Sequence, residues 1–532
     1  LKPEILKGVP ATAFSLSTVL KMSERGLALD ELNLSLAEGS LSGRLSTGWP
    51  RQPERIEFDL KAAGSNLRAS LPQIPGYLAA AVAFRVDARG SADETSVNIE
   101  RLNGTLADAQ FELAGKVAFK PSFSADAVRL SAKGSKLSAL GSFTAWHFAD
   151  LPFALSGTMS GNTGNVRMDD LQATLGDSDL KGSLHINTTA RPHIALNVRS
   201  QYLDLRPFLG QVEGEASVGK KDAGRNKLFS DKPLPVEVLR AFDGKLLASL
   251  AKVEARQQQL QDVRAEASLQ DGLLVVKRIQ GQARQGKVDA NFTLDSRGKR
   301  PTLKGQLQAT DVAFFVRGMT KEDEDRLPRH RLDSRFSASG DSFSALAAGL
   351  DGYLWLRSSP GQFRSRDMGL LFGDFAFQLF NTLNPFARKD PYSTLSCGGA
   401  YFESKNGRVE TAPAAVLQTN EVSVISRGSI DLRSEKIDLV FKVVPLHGVG
   451  LSAGALINPF LKLGGTLMAP AMDLSVGKAA VEGGVAFATF GVSLLAGGLW
   501  DRWIASSGAC DKVLEEARKM RSSKNPQDVP AF

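Results

Sequence analysis

The residues that could perform chemistry are few, and the most suggestive of them lie in a glycine-rich stretch of the chain. Gly450, Ser452 and Gly454 match the G-x-S-x-G pattern, which places a nucleophilic serine on a sharp turn between a strand and a helix. In that arrangement the histidine base follows the serine along the chain. No histidine follows His447, and Pro459 interrupts the stretch where the helix is required. We therefore predict a flexible loop here and no catalytic serine.

Histidine and carboxylate side chains do not combine into a metal site either. Only two of the five histidines are near one another in sequence, and no cysteine or paired carboxylate accompanies them at ligand spacing. Neither a phosphate-binding P-loop nor an H-E-x-x-H motif occurs. We expect no metal ion, no cofactor and no enzyme activity. The five histidines are His147, His185, His193, His330 and His447.

The two cysteines, Cys397 and Cys510, carry more information than the histidines. An even number of cysteines in an oxidising compartment favours a disulfide. In a reducing compartment the same residues would be two buried thiols. The residues alone leave both alternatives open.

Composition limits the classes of function that the chain can serve. The 532 residues are 42% hydrophobic and 23% charged, so the chain can bury a large apolar surface. The net charge of +8 is small for this length, and no basic stripe is interleaved with aromatic residues. This argues against nucleic-acid binding. A weak affinity for anionic lipid headgroups is compatible with it.

Alternation of apolar and polar residues dominates the chain from Leu27 to about Leu209. Leu32, Leu34 and Leu36, for example, would lie on one side of a strand, with polar residues between them facing water. Such regular alternation is typical of an antiparallel sheet with one solvated face. The strand–turn–strand pattern recurs with a spacing of roughly 45 residues, in the range of repeat architectures. Stacked repeats would share one continuous apolar face.

Two apolar stretches favour helices over strands. Residues 366–388 are apolar on nearly every side, and residues 479–505 include an uncharged run from Gly483 to Trp500. That run is at the lower limit of length for a membrane span. Trp500 and Trp503 suit a membrane–water boundary, so we predict that they contact a membrane. An ordinary packed helix is the alternative.

Several stretches together resemble the AsmA family of Gram-negative envelope proteins, chiefly its C-terminal region. The strongest likeness is "LSCGGAYFESKNGRVETAPAAVLQTNEVSVISRGSIDLRSEKIDLVFKVVP", which includes Cys397, Thr419, Gly428 and Asp431. The resemblance covers about residues 90–505. Its carrying segments are 152–184, 228–276, 335–361 and 395–445.

The resemblance implies a mostly β fold: an elongated, curled antiparallel sheet of repeating β-groove units with an apolar concave face and a few short helices near the C-terminus. It implies a periplasmic conduit that shields phospholipid acyl chains between the inner and outer membranes and maintains outer-membrane lipid homeostasis. The inner membrane would be reached through an N-terminal helix that this chain lacks. The outer membrane or its proteins are further expected partners. The alternative is a non-enzymatic structural or assembly factor for outer-membrane proteins, with a sealed core.

The resemblance and the patterns together divide the chain into four predicted segments. Residues 1–210 are repeating β-groove units and 211–232 a charged flexible linker. Residues 233–478 are an AsmA-like C-terminal β-groove, and 479–532 a helical segment that contacts a membrane or caps the groove. In a periplasmic protein, Cys397 and Cys510 would form a disulfide that pins this last segment to the final β-unit.

The alternation of apolar and polar residues also predicts which residues would line the groove. They are apolar, they occupy every second position of predicted strands, and they would form one uninterrupted surface. The predicted lining residues are Leu113, Val117, Leu184, Ile186, Leu196, Val198, Phe292, Leu307, Val424, Ile430, Leu439 and Phe441.

Overall fold

A computed structural model describes most residues of the chain. These are residues 14–24, 26–36, 38–48, 52–67, 82–138, 150–188, 191–207, 227–255, 258–283, 286–313, 319–364, 392–420, 422–445, 460–473 and 509–524.

The chain divides into two compact units, of which the first comprises Leu1–Gly210 and Phe242–Val253. Its described strands pair antiparallel with their neighbours along the chain from β1 to β12. The strands are β1 (Phe14–Ser23), β2 (Gly26–Leu36), β3 (Gly39–Gly48), β4 (Gln52–Gly64), β5 (Phe84–Ala92), β6 (Ser96–Leu106), β7 (Ala109–Ala118), β8 (Ser124–Gly134), β9 (Phe153–Asn162), β10 (Asn165–Leu175), β11 (Ser178–Asn187), β12 (His193–Ser200), β13 (Leu203–Asp204) and β14 (Asp243–Ala255).

The second unit comprises Gln211–Ala241 and Glu254–Phe532. It is also built on antiparallel strand pairs, with short helices between some of them. Its elements are α1 (Val236–Ala241), β15 (Gln258–Gln270), β16 (Leu273–Ala283), β17 (Gly286–Asp295), β18 (Thr302–Val312), α2 (Lys321–Arg326), β19 (His330–Ser339), α3 (Phe343–Ala348), β20 (Asp351–Ser358), β21 (Gly361–Arg364), β22 (Tyr392–Lys405), β23 (Arg408–Thr419), β24 (Val422–Asp431), β25 (Lys436–Pro445), β26 (Phe460–Gly465), β27 (Pro470–Asp473) and α4 (Ala509–Lys524).

The predicted fold class is confirmed: across the described residues the protein is mostly β, antiparallel and repetitive, with few and short helices. Tight turns explain how the strands follow one another so closely. Asp271 and Gly272 connect β15 to β16, and Asn406 and Gly407 connect β22 to β23, all four with positive φ. Two-residue turns of this kind match the twist of the strands that they join.

Bulges recur in the strand pairs and bend the sheet within each unit. Five non-glycine residues with φ between +48° and +57° each lie at a shift in strand register. A bulge adds one residue to one strand, bends it and increases its twist. It also allows residues three apart to share a face, which strict alternation does not. The five residues are Glu31, Ala127, Asp170, Asp262 and Asp311.

One strand pair of the first unit departs from the antiparallel pattern. β14 pairs parallel with β12, with Leu246 beside Leu196 and Ala248 beside Val198. The connection between them includes residues 208–226, which lie outside the described residues. Because Phe242–Val253 belong to the first unit, the compact units differ from a simple division of the chain after residue 232.

A short segment, residues 227–241, contacts turns at the ends of several strands of the second unit and is held there by hydrogen bonds. The backbone N–H groups of Leu228 and Phe229 donate to the two carboxylate oxygens of Glu435, at 2.6 and 2.8 Å. Glu435 is buried in the turn between β24 and β25. The described part of the predicted linker, residues 227–232, is therefore anchored to the sheet, and residues 211–226 lie outside the described residues.

Further along the same segment, contacts reach two other turns. The N–H of Leu234 donates to the carbonyl of Asp341 at 2.7 Å. The Arg240 guanidinium donates to the carbonyls of Ser296 and Gly298, at 2.7 and 3.1 Å. The segment thus ties together turns from distant parts of the second unit.

Candidate functional site

The apolar residues of the first unit form rows that cross the strands on one face of the sheet. Residues directly opposite one another in a strand pair point to the same face. One row crosses β6, β7 and β8 through Leu102, Leu113 and Leu130. A second row crosses five strands, through Met159, Met168, Leu184, Leu196 and Leu246.

The opposite face of the first unit is polar and carries ion pairs between strands. Lys21 and Arg44 both contact the carboxylate of Asp30, at 2.8 and 2.9 Å. The hydrogen bond from Lys21 holds the pKa of Asp30 below its usual value. Arg101 pairs with Asp87 at 3.2 Å. We call the two sides of each unit the apolar face and the polar face.

The second unit repeats this separation. A row on its apolar face crosses β16 to β20 through Val276, Phe292, Gly305, Phe336 and Gly352. A cavity of about 740 Å³ at the same strands is lined mainly by residues that alternate with this row, such as Asn291, Thr293 and Arg335, so it belongs to the polar face. A further row on the apolar face runs through Leu356, Ala400, Ala415, Ser426 and Phe441.

Phenylalanine rings lie against glycines on this face in both units. A Cβ added at Gly305 would lie 2.8 Å from the Phe336 ring, and one at Gly104 would lie 2.4 Å from the Phe111 ring. Each phenylalanine is the cross-strand partner of its glycine. The ring covers backbone that the glycine leaves bare, which is a known way of stabilising glycine in sheets. The result is a smooth apolar surface where side chains would otherwise project.

The predicted lining residues all lie on the apolar face of their own unit. In the first unit Leu184 is opposite Leu196, and Gly182 is opposite Val198. Ile186 extends this set by one position along β11, and Leu113 and Val117 lie on β7 opposite Leu102 and Val97. In the second unit each of the six predicted lining residues lies opposite a cross-strand partner on the same face. The pairs are Val276–Phe292, Ala290–Leu307, Leu417–Val424, Ser426–Phe441, Gly428–Leu439 and Val409–Ile430.

Partial exposure distinguishes this face from the inside of a sandwich. Nine of the twelve predicted residues are half-buried, while Val198, Val424 and Phe441 are buried. The inner faces of two packed sheets would bury one another almost completely. On β1 the apolar face is openly exposed, with Phe14, Leu16, Leu20 and Met22 between 58% and 76% accessible. Much of the apolar face is therefore reachable from solvent.

The helix α4 packs on the second unit's polar face, on the side away from the apolar face. Here β22, β23 and β24 differ from the rest of that face, because they carry apolar residues on this side as well. Val513 lies in a buried cluster with Val416 and Ile425, and Leu514 lies in another with Trp355 and Tyr401. These strand residues alternate with the lining residues, so they point away from the apolar face.

A disulfide between Cys397 and Cys510 fixes the start of α4 to β22. The described part of the predicted capping segment, residues 509–524, therefore does not cap the apolar face. It covers the other side, because these strands are apolar on both faces. The membrane-contact residues Trp500 and Trp503, and the rest of 479–508, lie outside the described residues.

Two of the described histidines, His330 and His185, contact ordinary polar partners. His330 is buried, its Nδ1 lies 2.8 Å from Ser358 Oγ, and burial lowers its pKa to about 4. His185 Nε2 lies 2.6 Å from Asn165 Oδ1. Within the described residues, no three histidine, cysteine or acidic side chains come together as a metal site. The stretch around Ser452 lies outside these residues.

No described helix has both the length and the apolar character that crossing a membrane requires.

Comparison with family models and with curated proteins found no match to this chain.

Proposed function

We propose that the apolar face binds phospholipid acyl chains and shields them from water during transport between two membranes. The proposal rests on one observation: apolar rows cross successive strands on one face of each unit, and their residues stay partly exposed to solvent. A sheet that buries one face normally covers it with a second layer. Here most of the predicted lining residues keep solvent exposure, so a ligand with apolar chains can reach them.

Energetics favour an uninterrupted lining for such a cargo. Exposure of an acyl chain to water costs about 0.8 kcal/mol per CH₂ group, or roughly 12 kcal/mol for about 15 carbons. A polar gap would restore much of this barrier. The flat Phe–Gly pairs and the leucine–methionine rows supply contact without charge. A headgroup could stay in water at the open side, so no buried partner is required for it.

The resemblance to the AsmA family supplies the setting of the proposal. We place the protein in the periplasm of a Gram-negative cell, anchored to the inner membrane and delivering phospholipid towards the outer membrane. The role is non-enzymatic, and its partners are lipids and envelope components. Outer-membrane lipid homeostasis would depend on this transfer.

Charge substitutions on the two faces test the proposal. Leu196→Arg and Phe292→Glu place a charge on the apolar face at half-buried positions. The matched controls Asn197→Arg and Thr293→Glu change the next residue, whose side chain points to the other face. Native mass spectrometry would measure co-purified phospholipid, and circular dichroism the β content.

We expect the two apolar-face variants to fold and to lose most bound lipid, while both controls keep it. Variants that fold and keep their lipid would contradict the proposal. Failure of both apolar-face variants to fold, with the controls intact, would favour a sealed core, because an unpaired buried charge is strongly destabilising.

A further inference from the structure

Three arginines surround a cavity of about 520 Å³ on the polar face of the second unit, beside the start of α4. Arg331 on β19 is the direct cross-strand partner of Arg357 on β20. Arg329 is two residues before Arg331 and lines the same cavity. The charged residues that line it are Arg329, Arg331, Arg357, Asp311 and Asp511.

This arrangement concentrates positive charge. Like charges directly opposite each other in a strand pair destabilise the sheet. Asp511 offsets part of the repulsion, because its carboxylate accepts a hydrogen bond from the Arg357 guanidinium at 2.8 Å. With Asp311 also present, the described lining residues carry three positive and two negative charges, a net charge of +1.

The backbone holds the cavity in shape. The N–H of Arg329 donates to Ser359 Oγ at 3.0 Å, and the N–H of Ser359 donates to the carbonyl of Arg329 at 2.8 Å. On the other side, the disulfide from Cys397 holds Cys510 at the cavity wall. The first turn of the 16-residue helix α4 therefore faces the same space as the arginines. The positive end of its dipole adds to their potential.

We propose that this cavity binds a phosphate group. Guanidinium groups offer paired, coplanar N–H donors that match two oxygens of a phosphate, and serine hydroxyls at the rim can donate as well. The phosphate could belong to a phospholipid headgroup or to a soluble phosphate ester. The site lies on the face opposite the acyl-chain surface, so it does not depend on the proposed function.

Titration of the full chain with inorganic phosphate, followed by calorimetry at constant ionic strength, tests the site. Arg331→Ala removes a central donor from an exposed position, and we expect phosphate binding to weaken about tenfold. Arg331→Lys keeps the charge but loses the paired donors, so we expect an intermediate affinity. Arg335→Ala is the matched control on the same strand and face, outside this cavity, and should leave affinity within about twofold.

Vesicles distinguish the two sources of phosphate. Binding to phosphatidylglycerol vesicles that is lost in Arg331→Ala assigns the site to a headgroup, and phosphate binding without vesicle binding assigns it to a soluble ester. No phosphate binding by the unmodified protein, or equal weakening in Arg331→Ala and Arg335→Ala, would overturn the site. Lipid co-purification should be unchanged in Arg331→Ala, which separates this result from a test of the acyl-chain face.

Discussion

Cys397 on β22 and Cys510 in α4 are 113 residues apart in sequence, and their Cα atoms are 6.1 Å apart across a disulfide. The bond holds α4 against the polar face of β22–β24, directly behind the apolar face. These strands therefore have two apolar surfaces: one covered by the chain's own helix and the other belonging to the proposed lipid-binding face.

Removal of the disulfide should destabilise the second unit. For Cys397→Ala/Cys510→Ala we expect a lower free energy of unfolding, by up to about 5 kcal/mol in the chain-entropy treatment of a loop this long. The residues of α4 should become accessible to protease before the strands unfold. Reductant should reproduce the effect in the unmodified protein and have none on the variant. An unchanged unfolding midpoint would show that the disulfide does not hold α4.

Gly305 should tolerate no side chain. A Cβ there would lie 2.8 Å from the Asn291 carbonyl oxygen, from Phe292 Cβ and from the Phe336 ring. We expect Gly305→Ala to lose about 1–3 kcal/mol of stability in chemical denaturation, as overpacking does. Gly298→Ala is the control, since its nearest neighbour would be 3.7 Å away. Equal stability of the two variants would contradict the close packing of this row.

His330 should make stability fall on acidification. Burial lowers its pKa from 6.5 to about 4 in the folded protein. Between these values the unfolded chain binds a proton that the folded protein does not, so stability is complete above about pH 6.5 and falls towards pH 4. A pKa difference of about 2.5 corresponds to at most about 3.5 kcal/mol. Denaturation across this range should show a shallower fall for His330→Gln, and an identical slope would contradict the assignment.

Glu435 should hold residues 227–234 against the second unit through its hydrogen bonds. In Glu435→Gln one carboxylate oxygen becomes an amide N–H₂, which cannot accept from Leu228 or Phe229. We expect a loss of about 1.5–3 kcal/mol, typical of hydrogen bonds to a charged group. Hydrogen–deuterium exchange at these two amides should accelerate markedly. Glu237→Gln, an exposed control paired with Arg240, should leave their exchange unchanged. Acceleration in both variants would argue against a specific role of Glu435.

Alternation predicted the strands and the face of each lining residue because the period of a strand is local and survives in any antiparallel sheet. It could not predict where that period breaks. Met168 and Leu171 share the apolar face only because Asp170 adopts a positive φ in a bulge. Aspartate tolerates this conformation but does not require it, so the sequence carries only a weak signal.

Long-range contacts account for most of what the sequence did not reveal. The parallel pairing of β12 with β14 and the hydrogen bonds to Glu435 join residues far apart in the chain. The position of α4 depends on a second apolar surface around Val416 and Ile425. A continuous apolar run such as residues 412–417 in β23 indicates burial on both sides, but it does not say which element covers each side.

Photocrosslinking from the apolar face tests whether acyl chains bind there. Phe292→benzoylphenylalanine keeps an aromatic side chain on the apolar face, and Thr293→benzoylphenylalanine places the same probe on the opposite face of β17. After irradiation in envelope membranes, intact mass spectrometry would detect covalent phospholipid. We expect a phospholipid adduct on the acyl chain for position 292 and none for position 293. Equal labelling at both positions, or no lipid adduct at position 292, would contradict acyl-chain binding by the apolar face.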